Sequence, residues 1–375
     1  MTGSLDELDR RSRLATTAGS RPVSDANRLG LDFRVEAEAL PFAGPIHDVH
    51  THITSPDAAD AFFAAADRYG IDRVWTMTPL RTVDAISERA GDRLRFIAVP
   101  DFLRREEDPE AFRSSWFRDL EGFAERGCRI AKLWAAPRGL DFDDALLIDS
   151  PVRIEGVKIA KDLGMMFMTH VGDPDTWFAT KYADEGTYYT KRQHFERLER
   201  LIDMAIGDTP VIGAHMGGTP EDLDLLQSML DRYPNYYVDT SATKWQVREL
   251  SKHPGAFADF CRRNAGRVLF GTDIVANDDN RHDAWNDGSG GFDLYASRFW
   301  ALRTLIQGEY DGPSPIVDPD LRLVDPSVDE KATATLRGAG LEGQPLDEVY
   351  HAALERLLKP WYGDAWGDSR AQAGC

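Results

Sequence analysis

Two histidines two positions apart, His50 and His52, have the residue type and spacing that most directly suggest chemistry in this sequence. They end the segment PIHDVHTH, residues 45–52, whose apolar residues predict a β-strand. Because alternate strand residues project to one face, both imidazoles should lie on the same side. Imidazole is a common ligand of zinc, manganese, iron and nickel. The pair alone fits either a metal site or two polar residues at a strand end.

Further residues of metal-binding type fall at the ends of later predicted strands. These are His170, His215 and Asp273. In a parallel barrel the C-terminal strand ends share one rim, and barrel enzymes keep their active sites there. Five such residues on four strand ends are hard to explain as packing. The combination therefore predicts a metal site.

The elements that must position these residues alternate between strand and helix eight times from about residue 46. The predicted strands are 45–52, 72–79, 95–102, 128–137, 165–171, 210–218, 236–242 and 267–274. Helix signals separate them, such as Ser55 as N-cap, Pro56 at the first helical position and Gly70 as the stop. The pattern favours a (β/α)8 TIM barrel. An open doubly wound sheet typically has a glycine-rich phosphate turn after the first strand. This chain has His-Thr-His there, which disfavours that fold.

The two chain ends differ from this pattern. Residues 1–25 are polar and predict a flexible N-terminal arm, and residues 26–375 are expected to form one domain. A helix over 346–358 is expected as a C-terminal helical extension. Residues 310–343, rich in Pro, Gly and Asp, are expected to be irregular.

Composition restricts the partners and the compartment. The 375 residues carry a net charge of −19, which argues against nucleic-acid and membrane partners. No run of about 18 apolar residues and no signal peptide is visible. The three cysteines, Cys128, Cys261 and Cys375, form no CxxC pair, which favours a reducing cytoplasm. We expect a small-molecule substrate, and a homodimer is left open.

The residue set resembles the amidohydrolase superfamily, in particular its amidohydrolase-related (amidohydrolase 2) branch, which also holds metal-dependent decarboxylases. The resemblance spans about residues 46–275 and the closing helix LDEVYHAALERLL. It implies one divalent metal ion, zinc first, with manganese or iron(II) as alternatives. The implied ligands are His50, His52, His170 and Asp273. His215 would polarise substrate or move protons, and Asp273 would also take a proton from metal-activated water.

One lysine and several loop residues are further candidates. Lys132 lies on the fourth predicted strand, where some superfamily members carry a carboxylated lysine that bridges two metals. A buried lysine paired with a carboxylate is the alternative. Long segments, 172–189 and 276–294, follow strands five and eight and are expected to meet substrate. The substrate-binding candidates in the loops after strands four and five are Trp134, Arg138, Trp177 and Lys181.

These residues are compatible with three functions. The first is metal-dependent hydrolysis of a C–N or C–O bond in a small molecule. A bound divalent ion lowers the pKa of water from about 15.7 to about 7, so that hydroxide is available at neutral pH. The second is non-oxidative decarboxylation of an aromatic or unsaturated acid. A non-catalytic metal scaffold would be expected to lack Asp273, and hydrolysis is preferred as the commoner superfamily chemistry.

Overall fold

The computed structural model describes residues 15–101, 109–282 and 291–367. Its strands are β1 Ile46–Ile53, β2 Ile71–Met77, β3 Leu94–Ala98, β4 Ile130–Trp134, β5 Met166–His170, β6 Val211–Gly213, β7 Tyr236–Asp239, β8 Val268–Leu269, β9 Ile274–Ala276, β10 Asp311–Val317 and β11 Thr333–Arg337. The helices of eight or more residues are α1 Pro56–Arg68, α2 Val83–Ala90, α3 Pro109–Glu125, α4 Pro151–Asp162, α5 Lys191–Leu201, α6 Leu223–Arg232, α7 Thr243–Leu250, α8 Pro254–Arg263, α9 Phe292–Gln307 and α10 Ala353–Tyr362.

The order of these elements is that of a (β/α)8 barrel, so the predicted fold class is confirmed. Shorter helical segments of four or five residues lie at Phe33–Glu36, Asp175–Phe178, Glu185–Tyr188, Asp278–His282, Leu321–Val324 and Gly343–Asp347. The helix signals hold at α1, where the Ser55 hydroxyl accepts from the Ala58 N–H and Gly70 follows at φ +72°. A helical C-terminal extension is also present and reaches Tyr362 through α10.

The eighth predicted strand departs from its expected form. Residues 267–274 were expected to form one strand, but the structure has two short strands, β8 and β9, separated by residues 270–273. Asp273 has a positive φ of 60°, which no extended strand can include. The break therefore falls at a candidate site residue.

The chain divides into two compact units, the first formed by Met1–Val74 and Thr240–Leu354. Within it β1 pairs in parallel with β9, and His52 lies opposite Val275. Helices α1 and α9 pack through aromatic side chains, with the Phe62 ring 5.8 Å from that of Phe299. Burying a phenylalanine contributes about 1.5–3 kcal/mol. This packing supports the strand that carries His50 and His52.

Residues 310–343 of the first unit are more regular than expected, because β10 and β11 form an antiparallel pair. The register shifts between Pro313 and Val317, which marks a bulge. Proline in a strand is tolerated at edges and bulges, and both strands of a two-stranded sheet are edges. The proline content that suggested an irregular segment is therefore compatible with a hairpin.

The predicted N-terminal arm overlaps this unit. The Glu36 carboxylate, which is buried, accepts hydrogen bonds from the Ala15 and Thr17 N–H groups at 2.7 Å each. The Val317 N–H donates to the Asp25 carbonyl at 3.0 Å. The predicted boundary at residue 25 thus lies within a hydrogen-bonded segment, while residues 1–14 lie outside the described residues.

The second unit consists of Trp75–Asp239 and Glu355–Cys375. Its strands lie in chain order from β2 to β7, and the described pairings from β3 to β7 are parallel. In the β4–β5 register, Lys132 lies opposite Met168 and Trp134 opposite His170. Because side chains alternate along a strand, Lys132, Trp134 and His170 share one face of the sheet.

No helix in the described part of the chain is long and apolar enough to cross a membrane.

Candidate metal centre

A histidine pair and one aspartate converge in the first unit. The Nε2 atoms of His50 and His52 lie 3.4 and 3.1 Å from Oδ1 of Asp273. One potential ligand atom from each of the three residues lies within 4.8 Å of the others. His50 is buried, whereas His52 and Asp273 are about one-third exposed, at 33% and 28%. The group is therefore reachable on one side and enclosed on the other.

A buried carboxylate on β1 fixes the segment that carries Asp273. The side chain of Asp48 accepts from the Thr272 hydroxyl at 2.6 Å, the Thr272 N–H at 3.1 Å and the His50 N–H at 3.1 Å. Burial raises the pKa of Asp48 to about 7, and the bonds from Thr272 and His50 act in the opposite direction. These bonds hold residues 272–273 against the strand of His50.

The backbone of Asp273 itself is unusual for an aspartate. Its φ is +60°, and its N–H donates to the His50 carbonyl at 2.7 Å. A left-handed conformation costs a non-glycine residue about 1–2 kcal/mol, and such strain often occurs at functional sites. The short turn between β8 and β9 thereby directs the carboxylate to the two histidines, where an uninterrupted strand would continue past them.

The other ring nitrogen of His50 is also engaged. Its Nδ1 lies 3.0 Å from the Ser241 hydroxyl oxygen. When Nδ1–H donates to an oxygen, the lone pair is on Nε2, which is the usual arrangement of a metal-binding histidine. Two imidazoles and a carboxylate oxygen suit zinc and other divalent transition metals. The donor set of this group therefore fits a divalent metal ion.

The second unit contains a different arrangement around His170, the last residue of β5. His170 Nε2 lies 2.8 Å from Oδ1 of Asp173, a buried carboxylate. The Tyr182 hydroxyl donates to Oδ2 of the same carboxylate at 2.8 Å. Burial, followed by the charge of Asp173, raises the pKa of Tyr182, so this hydroxyl remains a donor. A carboxylate bonded to one nitrogen of a histidine orients the ring and makes the other nitrogen more basic.

His215 is held through its backbone. It follows β6 with φ +60°, and its N–H donates to Oδ1 of the buried Asp239 at 2.9 Å. Its ring meets that of His170 edge-on, with centroids 4.4 Å apart. The left-handed turn continues through Gly218 at φ +81°, where a Cβ would lie 2.2 Å from the Gly172 carbonyl oxygen. Glycine is therefore required where this turn passes close to the segment after His170.

The predicted substrate residues and Lys132 occupy varied positions. Arg138 and Lys181 are exposed, and Trp134 and Trp177 are partly buried. The Lys181 ammonium lies 3.3 Å from the centre of the Trp177 ring, a cation–π contact. Lys132 is buried, on the sheet face of His170. The structure thus brings Lys181 and Trp177 together, and the substrate-binding roles of all four loop residues stay predictions.

Sequence reasoning missed the residues that hold the histidines. These are Asp48, Asp173, Asp239 and Ser241. Asp48 could have been found from its place between His47 and Val49 on a buried strand, since a buried carboxylate needs donors. Asp173 lies three residues after His170, and Asp239 ends β7, where strand ends already carried candidates. Ser241 follows β7, but its bond to His50, 191 residues away in the chain, cannot be read from the sequence.

The fold and the strand-end histidines and aspartates define a (β/α)8-barrel enzyme class with a potential metal centre. Within that class, a family model described as "Amidohydrolase" matches residues 47–297. The match covers more than half of the chain and includes all five strand-end candidates. The chain therefore belongs to this amidohydrolase family.

Several solved structures also match this chain at low sequence identity. A probable 2-pyrone-4,6-dicarboxylic acid hydrolase from Acinetobacter baumannii, with citric acid bound, is 12% identical with a TM-score of 0.43, over 74% of this chain and 97% of that chain. The 5-carboxyvanillate decarboxylase of Sphingomonas paucimobilis is 11% identical with a TM-score of 0.41, over 84% and 99% of the two chains. An amidohydrolase from Burkholderia multivorans with bound zinc is 12% identical with a TM-score of 0.41, over the same shares. No curated protein matches the chain by sequence.

Proposed function

We propose that this protein is a metal-dependent hydrolase that cleaves a C–N or C–O bond of a small molecule. The observation that carries the proposal is the convergence of His50 Nε2 and His52 Nε2 on Oδ1 of Asp273, at 3.4 and 3.1 Å. Family membership supports the same class of enzyme. His50, His52 and Asp273 would hold one divalent ion, zinc first, with manganese or iron(II) as alternatives.

The chain's own residues supply the remaining chemistry. A divalent metal, when bound, would polarise a substrate oxygen and lower the pKa of water. The Asp273 carboxylate, 28% exposed, would accept a proton from the attacking water and return it to the leaving group. His170 is proposed as the fourth ligand that the family resemblance implies. His215 is proposed to stabilise negative charge that develops on the substrate.

Substrate recognition is proposed for the loops after β4 and β5. Arg138 is exposed, and its guanidinium can pair with a carboxylate through two parallel hydrogen bonds. The Trp177 ring, already in contact with Lys181, provides a flat apolar surface for a substrate. Trp134 is proposed to contribute a second aromatic surface. Lys132 is a candidate only in its carboxylated form, since the carbamate could then bridge two metal ions, and a metal-to-protein ratio of about two would support this role.

The reaction is tested by metal analysis and a substrate panel. Purified protein should contain about one divalent ion per chain. Lactones, amides and aromatic acids are then assayed for both acid release and carbon dioxide. We expect acid release without carbon dioxide. Release of carbon dioxide from an aromatic acid would overturn hydrolysis in favour of metal-dependent non-oxidative decarboxylation.

One substitution tests the role of the carboxylate. Asp273→Asn should lower kcat by about 10²–10⁴-fold, because it removes the proton acceptor. Asp259→Asn is the matched control, since Asp259 is 81% exposed on α8 and should leave kcat unchanged. Circular dichroism and unfolding temperature verify that both variants fold. Full activity of Asp273→Asn, or of metal-free protein, would contradict the mechanism.

A further inference from the structure

A pocket in the second unit lies between α3 and α4, and none of its lining residues belongs to the histidine and carboxylate groups described above. Its apolar wall includes Pro100, Leu146 and Val152, and its polar side chains are those of Trp116, Asp143 and Arg153. Trp116 and Arg153 carry N–H donors. The pocket therefore presents hydrogen-bond donors within largely apolar surroundings.

Arg153, on the first turn of α4, supplies a buried positive charge. The residue is 3% exposed, and its Nη2 donates to the Trp134 carbonyl at 2.6 Å. Its Nε–H is buried and has no hydrogen-bond partner among the described residues, none of whose carboxylates forms an ion pair with the guanidinium. Burial lowers the pKa of Arg153 to about 10. A buried charge without a paired counter-charge is unfavourable.

A second buried donor lines the same pocket. Trp116, on α3, is 3% exposed, and its indole Nε1–H likewise has no hydrogen-bond partner in the described part of the chain. Gly156, one turn after Arg153 on α4, fixes where this group lies, because a Cβ there would be 3.2 Å from Trp116 Nε1. The indole N–H therefore packs against the helix that carries Arg153. Buried tryptophan N–H groups usually find an acceptor.

The two N–H donors and the single positive charge define the chemistry of an occupant. A water molecule would accept from the N–H groups but would leave the charge of Arg153 unbalanced. An anion would accept from both donors and balance that charge. The half-buried carboxylate of Asp143 also lines the pocket and disfavours an anion with two negative charges. These features favour a small anion with one negative charge.

We propose that Arg153 Nε and Trp116 Nε1 bind a monovalent inorganic anion, chloride, in this pocket. The anion would hold the guanidinium that bonds the carbonyl of Trp134, the last residue of β4. Chloride would thereby stabilise the end of a barrel strand. The proposal concerns anion binding alone and does not depend on the reaction that the protein catalyses.

Bromide, which has the charge of chloride and scatters X-rays anomalously, tests occupancy of the pocket. Crystals of the zinc-loaded protein in sodium bromide, measured at the bromine edge, should show an anomalous peak within hydrogen-bond distance of Arg153 Nε and Trp116 Nε1. Electron density at this position without an anomalous peak would identify a water molecule and overturn the proposal. A peak that persists in Arg153→Met would also overturn it, as an adventitious ion only.

The solution test measures the unfolding temperature of the zinc-loaded protein as chloride replaces gluconate at constant ionic strength. The Tm of wild type should rise with chloride, as for any ligand that binds only the folded chain. Arg153→Met should remove this dependence. Trp116→Phe keeps an aromatic ring but loses the N–H, so the apparent Kd for chloride should rise by about tenfold.

The matched control is Arg192→Met, since Arg192 is 80% exposed and pairs with Glu196 in the same unit. It removes the same charge and should keep the chloride dependence of wild type. The proposal is overturned if the Tm of wild type does not respond to chloride, or if Arg153→Met responds equally. If Arg153→Met does not fold, an unchanged Kd in Trp116→Phe overturns the proposal, and a raised Kd supports it.

Discussion

The two units hold their histidines in contrasting ways. In the first unit, His50 and His52 lie two residues apart on one strand and meet the same carboxylate, Asp273. In the second unit, His170 ends β5 and its ring bonds the buried Asp173, whereas His215 follows β6 and its backbone N–H bonds the buried Asp239. The first arrangement gathers ligand atoms around a point. The second fixes the ring of His170 and the backbone of His215.

We propose that this difference corresponds to a difference in role, metal binding against catalysis. A divalent metal needs several donor atoms close together, which the first unit provides. A carboxylate bonded to a histidine ring fixes the orientation and the tautomer of that ring, as Asp173 does for His170. We expect substitutions of His50, His52 or Asp273 to remove the metal, whereas substitution of His215 should alter catalysis first.

The largest expected effect is that of His52→Ala. It removes one of the three convergent ligands, so zinc content should fall from about one ion per chain to a small fraction, and activity should fall with it. Elemental analysis after dialysis measures this. His253→Ala, on an exposed histidine, should keep its zinc. Retention of zinc by His52→Ala would show that His52 is not a required zinc ligand, which would contradict the proposed metal site.

His215→Ala should have the next largest effect. We expect zinc content to stay near that of wild type while kcat falls by about 10²–10⁴-fold, the usual loss for a group that moves protons or stabilises charge. Steady-state kinetics and elemental analysis on the same preparation separate the two effects. Loss of zinc from this variant would mean that His215 is a ligand, and the proposed difference in role would be wrong.

Asp173→Asn should have a smaller effect, transmitted through His170. The change removes the charge that orients the ring at 2.8 Å, and outer partners of this kind commonly contribute about 10–100-fold in metal affinity or activity. Tyr182→Phe is the matched control, because it removes only a donor to Asp173. We expect its kcat and zinc affinity to lie between those of wild type and Asp173→Asn. Wild-type behaviour of Asp173→Asn would show that this carboxylate has no functional role.

Ser241→Ala should give the smallest effect of the series. The hydroxyl is a neutral partner of His50, so zinc affinity should fall by about tenfold, the lower end of the range for outer partners. Competition with a chromogenic chelator measures the change. An affinity loss as large as that of His52→Ala would show that Ser241 does more than orient the ring.

Part of this arrangement could be predicted from sequence because it depends on local periodicity. The alternation of strand side chains predicts that His50 and His52 share a face, and capping signals at Ser55 and Gly70 predict the helix that follows. His170 ends its strand, where the barrel fold alone makes it a candidate. The fold class was therefore accessible without coordinates, and the roles of the five strand-end residues stay predictions.

The remainder depends on tertiary contacts that periodicity does not encode. The break between β8 and β9 follows from a positive φ at Asp273 and from the bonds between Asp48 and Thr272, which are 224 residues apart in the chain. Ser241 and His50 are 191 residues apart. Proline content hid the β10–β11 hairpin, because its two edge strands tolerate proline.

Zinc-edge X-ray absorption of the zinc-loaded protein shows whether His50, His52 and Asp273 bind the metal. We expect at least two imidazole nitrogens at about 2.0–2.1 Å from the zinc, with oxygen at a similar distance. In His52→Ala the imidazole signal should fall or the zinc should be lost. Zinc surrounded by oxygen alone, or by sulfur at about 2.3 Å, would contradict binding by the two histidines.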